Sequence, residues 1–100
     1  MSDSPLYLVV TIFPRQDQHA EAVAQLHKMA ANAETEPGCV YQTLVESPDE
    51  PDCVTMLEKF VSRSAWDEHM ETEHNKTGNQ VLEPMLRQPS ILRLYTEVPH

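Results

Sequence analysis

The order of strand and helix patterns along the chain most constrains what it can fold into. Four segments are rich in β-branched and aromatic residues, and two longer segments between them repeat apolar residues at helical spacing. The predicted strands are Leu6 to Phe13, Cys39 to Ser47, Cys53 to Val61 and Ser90 to Val98. The resulting order, β-α-β-β-α-β, predicts an α+β, ferredoxin-like fold: a four-stranded antiparallel sheet with helices on one face.

Two helical regions separate these strands. The first is predicted from Gln16 to about Glu34, and the Glu-Pro-Gly sequence that follows ends it. The second begins at Ser62 or Ser64, since either serine can cap a helix. A break near residues 72–75 is predicted to separate it from a shorter helix that leads to the last strand.

The sequence SPDEPD between the second and third strands predicts a hairpin with a loop of five or six residues. Such a hairpin holds Cys39 and Cys53 about 23 Å apart at ~3.3 Å per residue, too far for a disulfide within the chain. We therefore predict two free thiols in a reducing compartment, with an intersubunit disulfide as the alternative.

The first strand carries Val or Leu on both of its alternating faces, so it is predicted to be central and the second face of the sheet to be apolar. A single domain spanning residues 1–100 leaves no segment to cover that face. The prediction is a homodimer that packs sheet on sheet.

The charge balance excludes some classes of partner. Sixteen acidic residues against seven basic ones give a formal net charge of −9, which opposes binding to nucleic acid or to an anionic membrane surface. The apolar run near the N-terminus is too short for a membrane span and lacks the basic flank of a signal peptide. A cytoplasmic location is the resulting expectation.

The segment EPGCVYQTLVESPDEPDCVTMLEKFVSRSAWDEHMETEHNK resembles the core of the antibiotic biosynthesis monooxygenase (ABM) domain family. The later VLEPML and PSILRLYTEV segments also fit, so the resemblance covers nearly the whole chain. It implies the fold of that family, the dimeric α+β barrel. The positions that match the family pattern are Pro37, Gly38, Cys39, Glu58, Phe60, His69 and His74.

The resemblance implies several activities. Members of the family include cofactor-independent oxygenases that convert hydroquinones or phenols to quinones with molecular oxygen, haem-degrading enzymes and a quorum-signal isomerase. Asn79 stands where the haem-degrading relatives have their haem-ligating histidine, which argues against haem degradation. Phe60 replaces the usual Trp at the end of the third strand, which changes the shape of the pocket.

The oxygenase chemistry needs a base, because oxygen reacts far better with a phenolate than with a phenol. The candidate catalytic residues are His74, His69 and Glu58; a neutral histidine is the natural base, and Glu58 could orient it or take the proton itself if burial raises its pKa. Neither a metal nor any other cofactor is expected. A structural role is the alternative for each: a cap or surface contact for His74, the edge of the core for His69, and a dimer contact for Glu58.

Aromatic residues are predicted to form the walls around a planar substrate. These substrate-binding candidates are Trp66, Phe60, Tyr41 and Tyr95, and Arg93 could stabilise a developing oxyanion. Packing in the core is the alternative for Trp66, and an interface salt bridge is the alternative for the Arg93 and Tyr95 pair.

A metal site is not predicted from the histidine spacing. His69 and His74 are five residues apart, so a continuous helix would separate them by about 140° at ~100° per residue. They could chelate one ion only if the helix broke between them. Neither HxxxH, HExxH nor paired-cysteine spacing occurs in the sequence.

The resemblance to this family, together with the candidate residues, implies a cofactor-independent monooxygenase. Its partners would be molecular oxygen, a small aromatic or quinol-like molecule and a second copy of the chain. The alternatives are an isomerase or other non-oxidative enzyme in the same pocket, and a non-catalytic dimer that binds a small ligand.

Overall fold

A computed structural model describes residues 4–99. Their order is β-α-β-β-α-α-β, with two short 3₁₀ helices, so the predicted α+β, ferredoxin-like architecture is confirmed. The elements are β1 (Leu6–Ile12), a 3₁₀ helix (Gln16–Gln18), α1 (His19–Ala33), β2 (Cys39–Ser47), β3 (Glu50–Phe60), α2 (Arg63–Met70), α3 (Glu73–Leu82), a second 3₁₀ helix (Glu83–Met85) and β4 (Ile91–Thr96).

The four strands form one antiparallel sheet in the order β2-β3-β1-β4. As predicted, β1 is central. Leu8 of β1 lies opposite Glu58 of β3 on one side and Leu94 of β4 on the other. Directly opposed residues point to the same face, so this register places all three side chains on one side of the sheet.

The helices cover the face of the sheet to which Leu8 belongs. Alternate residues of β1 on this face, Leu6, Leu8 and Ile12, are buried, whereas the residues between them keep part of their surface exposed. Helix α1 supplies its small and apolar stripe to the same core. The buried core residues are Leu6, Leu8, Ile12, Ala22, Leu26, Ala30, Ala33, Val54, Met56, Phe60 and Leu82.

The β2–β3 hairpin is tighter than predicted. Ser47 pairs with Glu50, so Pro48 and Asp49 alone form the turn, and β3 begins three residues earlier than expected. The expectation of a five- or six-residue loop is therefore wrong. Pro51 can lie in the strand because β1 pairs with β3 only from Val54 onward, which leaves this end of β3 paired on one side and tolerant of a missing N–H.

The predicted break in the second helical region is confirmed, and side-chain caps define it. The Ser62 hydroxyl accepts a hydrogen bond from the Ala65 N–H and begins α2. After α2 ends at Met70, the Thr72 hydroxyl accepts from the Asn75 N–H and begins α3. The sequence predicts that the helix after the break is the shorter of the two, but α3 has 10 residues and α2 has 8.

Cys39 and Cys53 form no disulfide with each other within the chain. Cys39 lies opposite Phe60 at one end of the hairpin, and Cys53 lies near the turn at the other end. Within residues 4–99, no helix combines the length and the apolar character that a membrane crossing requires.

The contact between the β2 entry and α2 can be tested at Gly38. A Cβ at Gly38 would lie 2.5 Å from the Ala65 Cβ, and neither backbone can yield easily. Gly38→Ala should therefore lower the free energy of unfolding by about 1–3 kcal/mol, as overpacking does. Urea denaturation followed by circular dichroism measures this loss.

Gly78→Ala is the matched control. Its Cβ would meet the flexible Met29 side chain, 2.9 Å from Cγ, and alanine favours the helical conformation that Gly78 already has. This variant should stay within about 1 kcal/mol of the wild type. Equal losses in the two variants would contradict the steric argument for Gly38.

Candidate functional site

A cavity of about 190 Å³ lies between the helix-covered face of the sheet and helices α1, α2 and α3. For comparison, an engineered apolar cavity of about 150 Å³ holds one benzene molecule. Most of the wall of the cavity in the present protein is apolar. The apolar lining residues are Leu8, Val10, Ile12, Leu26, Met29, Met56, Trp66, Met70, Leu82 and Leu92. The cavity is therefore of a size and character that suit a single small ring.

Glu58 is the acidic residue in this wall. It lies on the helix-facing side of β3, opposite Gln42 of β2, and the Gln42 Nε2 donates a 2.9 Å hydrogen bond to Glu58 Oε1. Burial raises the pKa of the Glu58 carboxyl from an ordinary 4.5 to about 7, and the hydrogen bond from Gln42 opposes part of this rise. The group can therefore exchange a proton near neutral pH.

Two histidines and one carboxylate meet at the junction of α2 and α3. The His69 Nδ1 lies 2.9 Å from Glu36 Oε2 and 3.1 Å from Glu36 Oε1. The His74 Nε2 lies 2.5 Å from the same Oε2. A carboxylate accepts hydrogen bonds and donates none, so both histidines donate to Glu36 through these nitrogens.

Tertiary structure brings these three residues together. Glu36 lies in the turn that follows α1, His69 in the last turn of α2 and His74 in the first turn of α3. Because the chain changes direction at Thr72, the two histidines do not diverge as they would on a continuous helix. Their ring centroids are 6.3 Å apart, and both rings border the cavity.

Trp66 and Phe60 both lie on the helix-covered side of the sheet, but only Trp66 lines the cavity. Trp66 lines the cavity, and the Arg63 guanidinium lies 5.1 Å from the centre of its ring. Phe60 has no exposed surface, and its ring packs on His69 with centroids 5.0 Å apart. Phe60 thus supports a wall residue and does not itself line the cavity.

Tyr41, Arg93 and Tyr95 lie on the opposite face of the sheet. Tyr41 is paired with Lys59, Arg93 with Val9, and Tyr95 with Tyr7, all in the alternate register from Leu8 and Glu58. The expectation that they form one pocket with His69 and Trp66 is wrong. Side chains alternate between faces along a strand, and the strand pattern alone did not show which parity the helices cover.

Sequence reasoning missed the two polar residues that hydrogen-bond the candidate acid and bases, Glu36 and Gln42. Glu36 orients both histidines through hydrogen bonds, whereas the sequence analysis offers Glu58 for this role. It is 33 residues from His69, so no local spacing connects them. Gln42 offered a signal, because it is a polar residue two positions before Leu44 on the same face of a strand.

These features define an α+β protein with a ring-sized apolar cavity that contains a buried carboxylate. A model of the antibiotic biosynthesis monooxygenase family matches residues 5–81, most of the chain. The chain therefore belongs to this family.

Solved structures of other proteins share this fold. The protein Rv0793 from Mycobacterium tuberculosis is 26% identical with a TM-score of 0.89, and the match covers 97% of this chain and 98% of that one. The protein SO0527 from Shewanella oneidensis is 25% identical with a TM-score of 0.85, covering 95% and 92%. A candidate antibiotic biosynthesis monooxygenase from Caulobacter crescentus is 22% identical with a TM-score of 0.90, covering 97% and 92%, and shows likeness of fold alone. No curated protein matches the chain.

The raised pKa of Glu58 predicts a pH-dependent cost to stability. The folded protein holds the Glu58 proton more tightly than the unfolded chain does, so the wild type loses stability as pH rises from about 4.5 through 7. Glu58→Gln removes this loss. Its free energy of unfolding relative to the wild type should rise with pH by up to ~3 kcal/mol, since one pKa unit corresponds to about 1.4 kcal/mol.

Urea denaturation of both proteins at pH 5, 6, 7 and 8 measures this difference. Glu46→Gln, at an exposed position of β2, is the matched control for loss of one acidic group. A difference between Glu58→Gln and the wild type that stays constant across these pH values would contradict a raised pKa at Glu58.

Proposed function

We propose that the protein is a cofactor-independent monooxygenase that oxidises a small aromatic or hydroquinone substrate with molecular oxygen. The observation that carries this proposal is a buried carboxylate, with a pKa raised to about 7, in the wall of a ring-sized apolar cavity. Membership of the antibiotic biosynthesis monooxygenase family supports the reaction class.

Glu58 is the proposed general base. A base works best when its pKa lies near the working pH, and the raised pKa of Glu58 meets this condition. Its carboxylate takes the proton from a ring hydroxyl and leaves a phenolate against a mostly apolar wall. The Gln42 amide holds the carboxylate in position through its hydrogen bond to Oε1.

The oxidation balances without a reducing cofactor. The phenolate is electron-rich and transfers electrons to oxygen, one oxygen atom forms a new bond to a ring carbon, and the other leaves as water. For a hydroquinone the product is a hydroxyquinone, and the substrate itself supplies all four electrons. The proton taken by Glu58 leaves with the water.

The rest of the cavity binds and positions the substrate. Trp66 and Met70 provide polarisable walls, and a planar ring can pack against them. His69 and His74 face the same space from the junction of α2 and α3. His69 is the second candidate base, through the ring nitrogen that Glu36 does not engage.

Oxygen uptake on a panel of hydroquinones tests the proposal. With chelator-treated, dialysed protein, we expect uptake above the spontaneous rate for one-ring hydroquinones and weaker uptake for three-ring phenols, which exceed the cavity. Glu58→Gln should lower kcat/KM by about 10²–10⁴-fold, the range of general base catalysis. Because only the ionised carboxylate is a base, kcat/KM of the wild type should rise with pH through about 7.

Glu46→Gln is the control variant and should retain wild-type uptake. His69→Gln separates the two candidate bases, because it should preserve the rise of kcat/KM near pH 7 if Glu58 is the base. If no hydroquinone raised uptake while the panel bound in the cavity, the oxygenase proposal would fail. An isomerase or a non-catalytic binding protein would then remain, and exchange of substrate protons with deuterated solvent would distinguish them.

The working form is proposed to be a homodimer that packs through the face of the sheet opposite the helices. This face carries Tyr41, Leu57 and Val9 at its centre, and Tyr95 and Ile91 at β4 are 47% and 43% exposed. No helix within residues 4–99 packs on it. This face also carries Lys59, Arg93, Thr11, Thr43 and Thr55. An exposed face that mixes aromatic, aliphatic and basic side chains is of the kind that a second subunit can cover.

A charge at the centre of this face should separate the subunits. In a symmetric interface Val9→Lys places two new charges near one another, so sedimentation should shift from twice the chain mass to the chain mass. Val81→Lys is the control, because Val81 is exposed on α3, on the helical side. A wild type that sediments as a monomer would refute the dimer without affecting the proposed base.

A further inference from the structure

We propose that Glu36, His69 and His74 form a binding site for a divalent transition-metal ion such as Zn²⁺. Their candidate ligand atoms, one carboxylate oxygen and one nitrogen from each imidazole, all lie within 4.8 Å of one another. The proposal goes beyond the proposed oxygenase function and does not depend on it.

The chemistry of the three groups determines the class of ion. Two imidazoles and one carboxylate suit ions of intermediate softness, such as Zn²⁺, Co²⁺ and Fe²⁺, and suit Mg²⁺ or Ca²⁺ poorly because those ions prefer all-oxygen sites. Three protein ligands also leave at least one coordination position for water or another small molecule.

The distances require only small adjustments of side chains. Ligands about 2.0–2.1 Å from a tetrahedral ion lie about 3.3 Å from one another. The present contacts of Glu36 Oε2 with the two histidines are 2.9 Å and 2.5 Å, and the two imidazole nitrogens lie within 4.8 Å. Each ring would open slightly from the carboxylate and close toward the other ring.

The ion would replace the two hydrogen bonds that now hold the cluster together. Each imidazole would bind the ion through the nitrogen that faces Glu36 and carry its hydrogen on its other ring nitrogen. The Glu36 carboxylate then compensates part of the charge of the cation.

Burial differs among the three side chains in a way that suits a metal site. His69 is 7% exposed and Glu36 16%, whereas His74 is 32% exposed. The first two ligands are therefore held by packing, which includes the Phe60 ring on His69. His74 lies nearest to solvent and offers the route by which an ion can enter.

The three segments that carry the ligands are separate in sequence, and each is held by hydrogen bonds. The hydrogen bond from the Asn75 N–H to Thr72 begins α3 at a defined point, and Ser62 begins α2 in the same way. The ligands thus lie on two capped helices and one turn, so little conformational entropy is lost on binding.

The competing explanation is that the cluster is complete without metal, as a carboxylate that orients two histidines. Titration calorimetry of the full chain, freed of metal by chelator and dialysis, distinguishes the two. We expect one Zn²⁺ per chain, a visible d–d absorption spectrum on addition of Co²⁺, a raised melting temperature with either ion and no comparable effect of Mg²⁺.

Variants at the cluster connect binding to these residues. His74→Ala and Glu36→Gln should each weaken Zn²⁺ binding by at least tenfold and remove the Co²⁺ spectrum. His27→Ala, at an exposed position of α1, is the control for loss of a histidine and should bind as the wild type does. Circular dichroism at 20 °C shows whether each variant is folded, and His74→Ala removes the most exposed of the three side chains.

Three results would overturn the metal site. They are absence of Zn²⁺ binding at 100 µM, binding that His74→Ala and Glu36→Gln leave unchanged, and equal loss in His27→Ala, which would indicate binding to surface groups. None of these results bears on oxygen uptake by metal-free protein. Failure of the metal site and failure of the proposed oxygenase function can therefore be told apart.

Discussion

The antiparallel register between β1 and its two neighbours decides which side chains can act together. Leu8, Glu58 and Leu94 lie in one row across the sheet and point toward the helices, and Gln42 extends this row into β2. A shift of one residue would turn Glu58 toward the opposite face and bring Lys59 or Leu57 into the cavity. The position of the buried carboxylate therefore depends on the same pairing that builds the core.

The buried carboxylate of Glu58 lowers the stability of the fold when it is ionised. Desolvation disfavours the ionised form of Glu58, and the Gln42 amide compensates for only part of this effect. An apolar residue at this position would pack at lower cost. A carboxyl whose ionised form is disfavoured by burial and that faces an apolar cavity of the size of one ring is typical of a functional site.

The junction of α2 and α3 supplies the second constraint. The Thr72 cap stops one helix and starts another, and the change of direction turns His69 and His74 toward a single carboxylate. The same junction forms one wall of the cavity, so any ligand that occupies the Glu36 cluster would lie beside the proposed substrate site. The contact of both histidines with Glu36 therefore depends on the Thr72 cap that ends one helix and begins the next.

The amino-acid sequence by itself determined the element types, their order and the central place of β1. Strand composition, helical periodicity and caps are local properties, and the predicted break near Thr72 was read from them. The sequence also indicated Glu58 as a candidate site residue, because a carboxylate in an apolar strand is unusual. Trp66, His69 and His74 were the other candidates on the helical side. Only the tertiary structure decided which face of the sheet each strand residue occupies, and it places Tyr41, Arg93 and Tyr95 on the face opposite the cavity. The contact of Glu36 with His69 and His74 also depends on the tertiary structure alone. The physical reason is that register and long-range packing involve residues from distant segments, whose contacts no local pattern specifies.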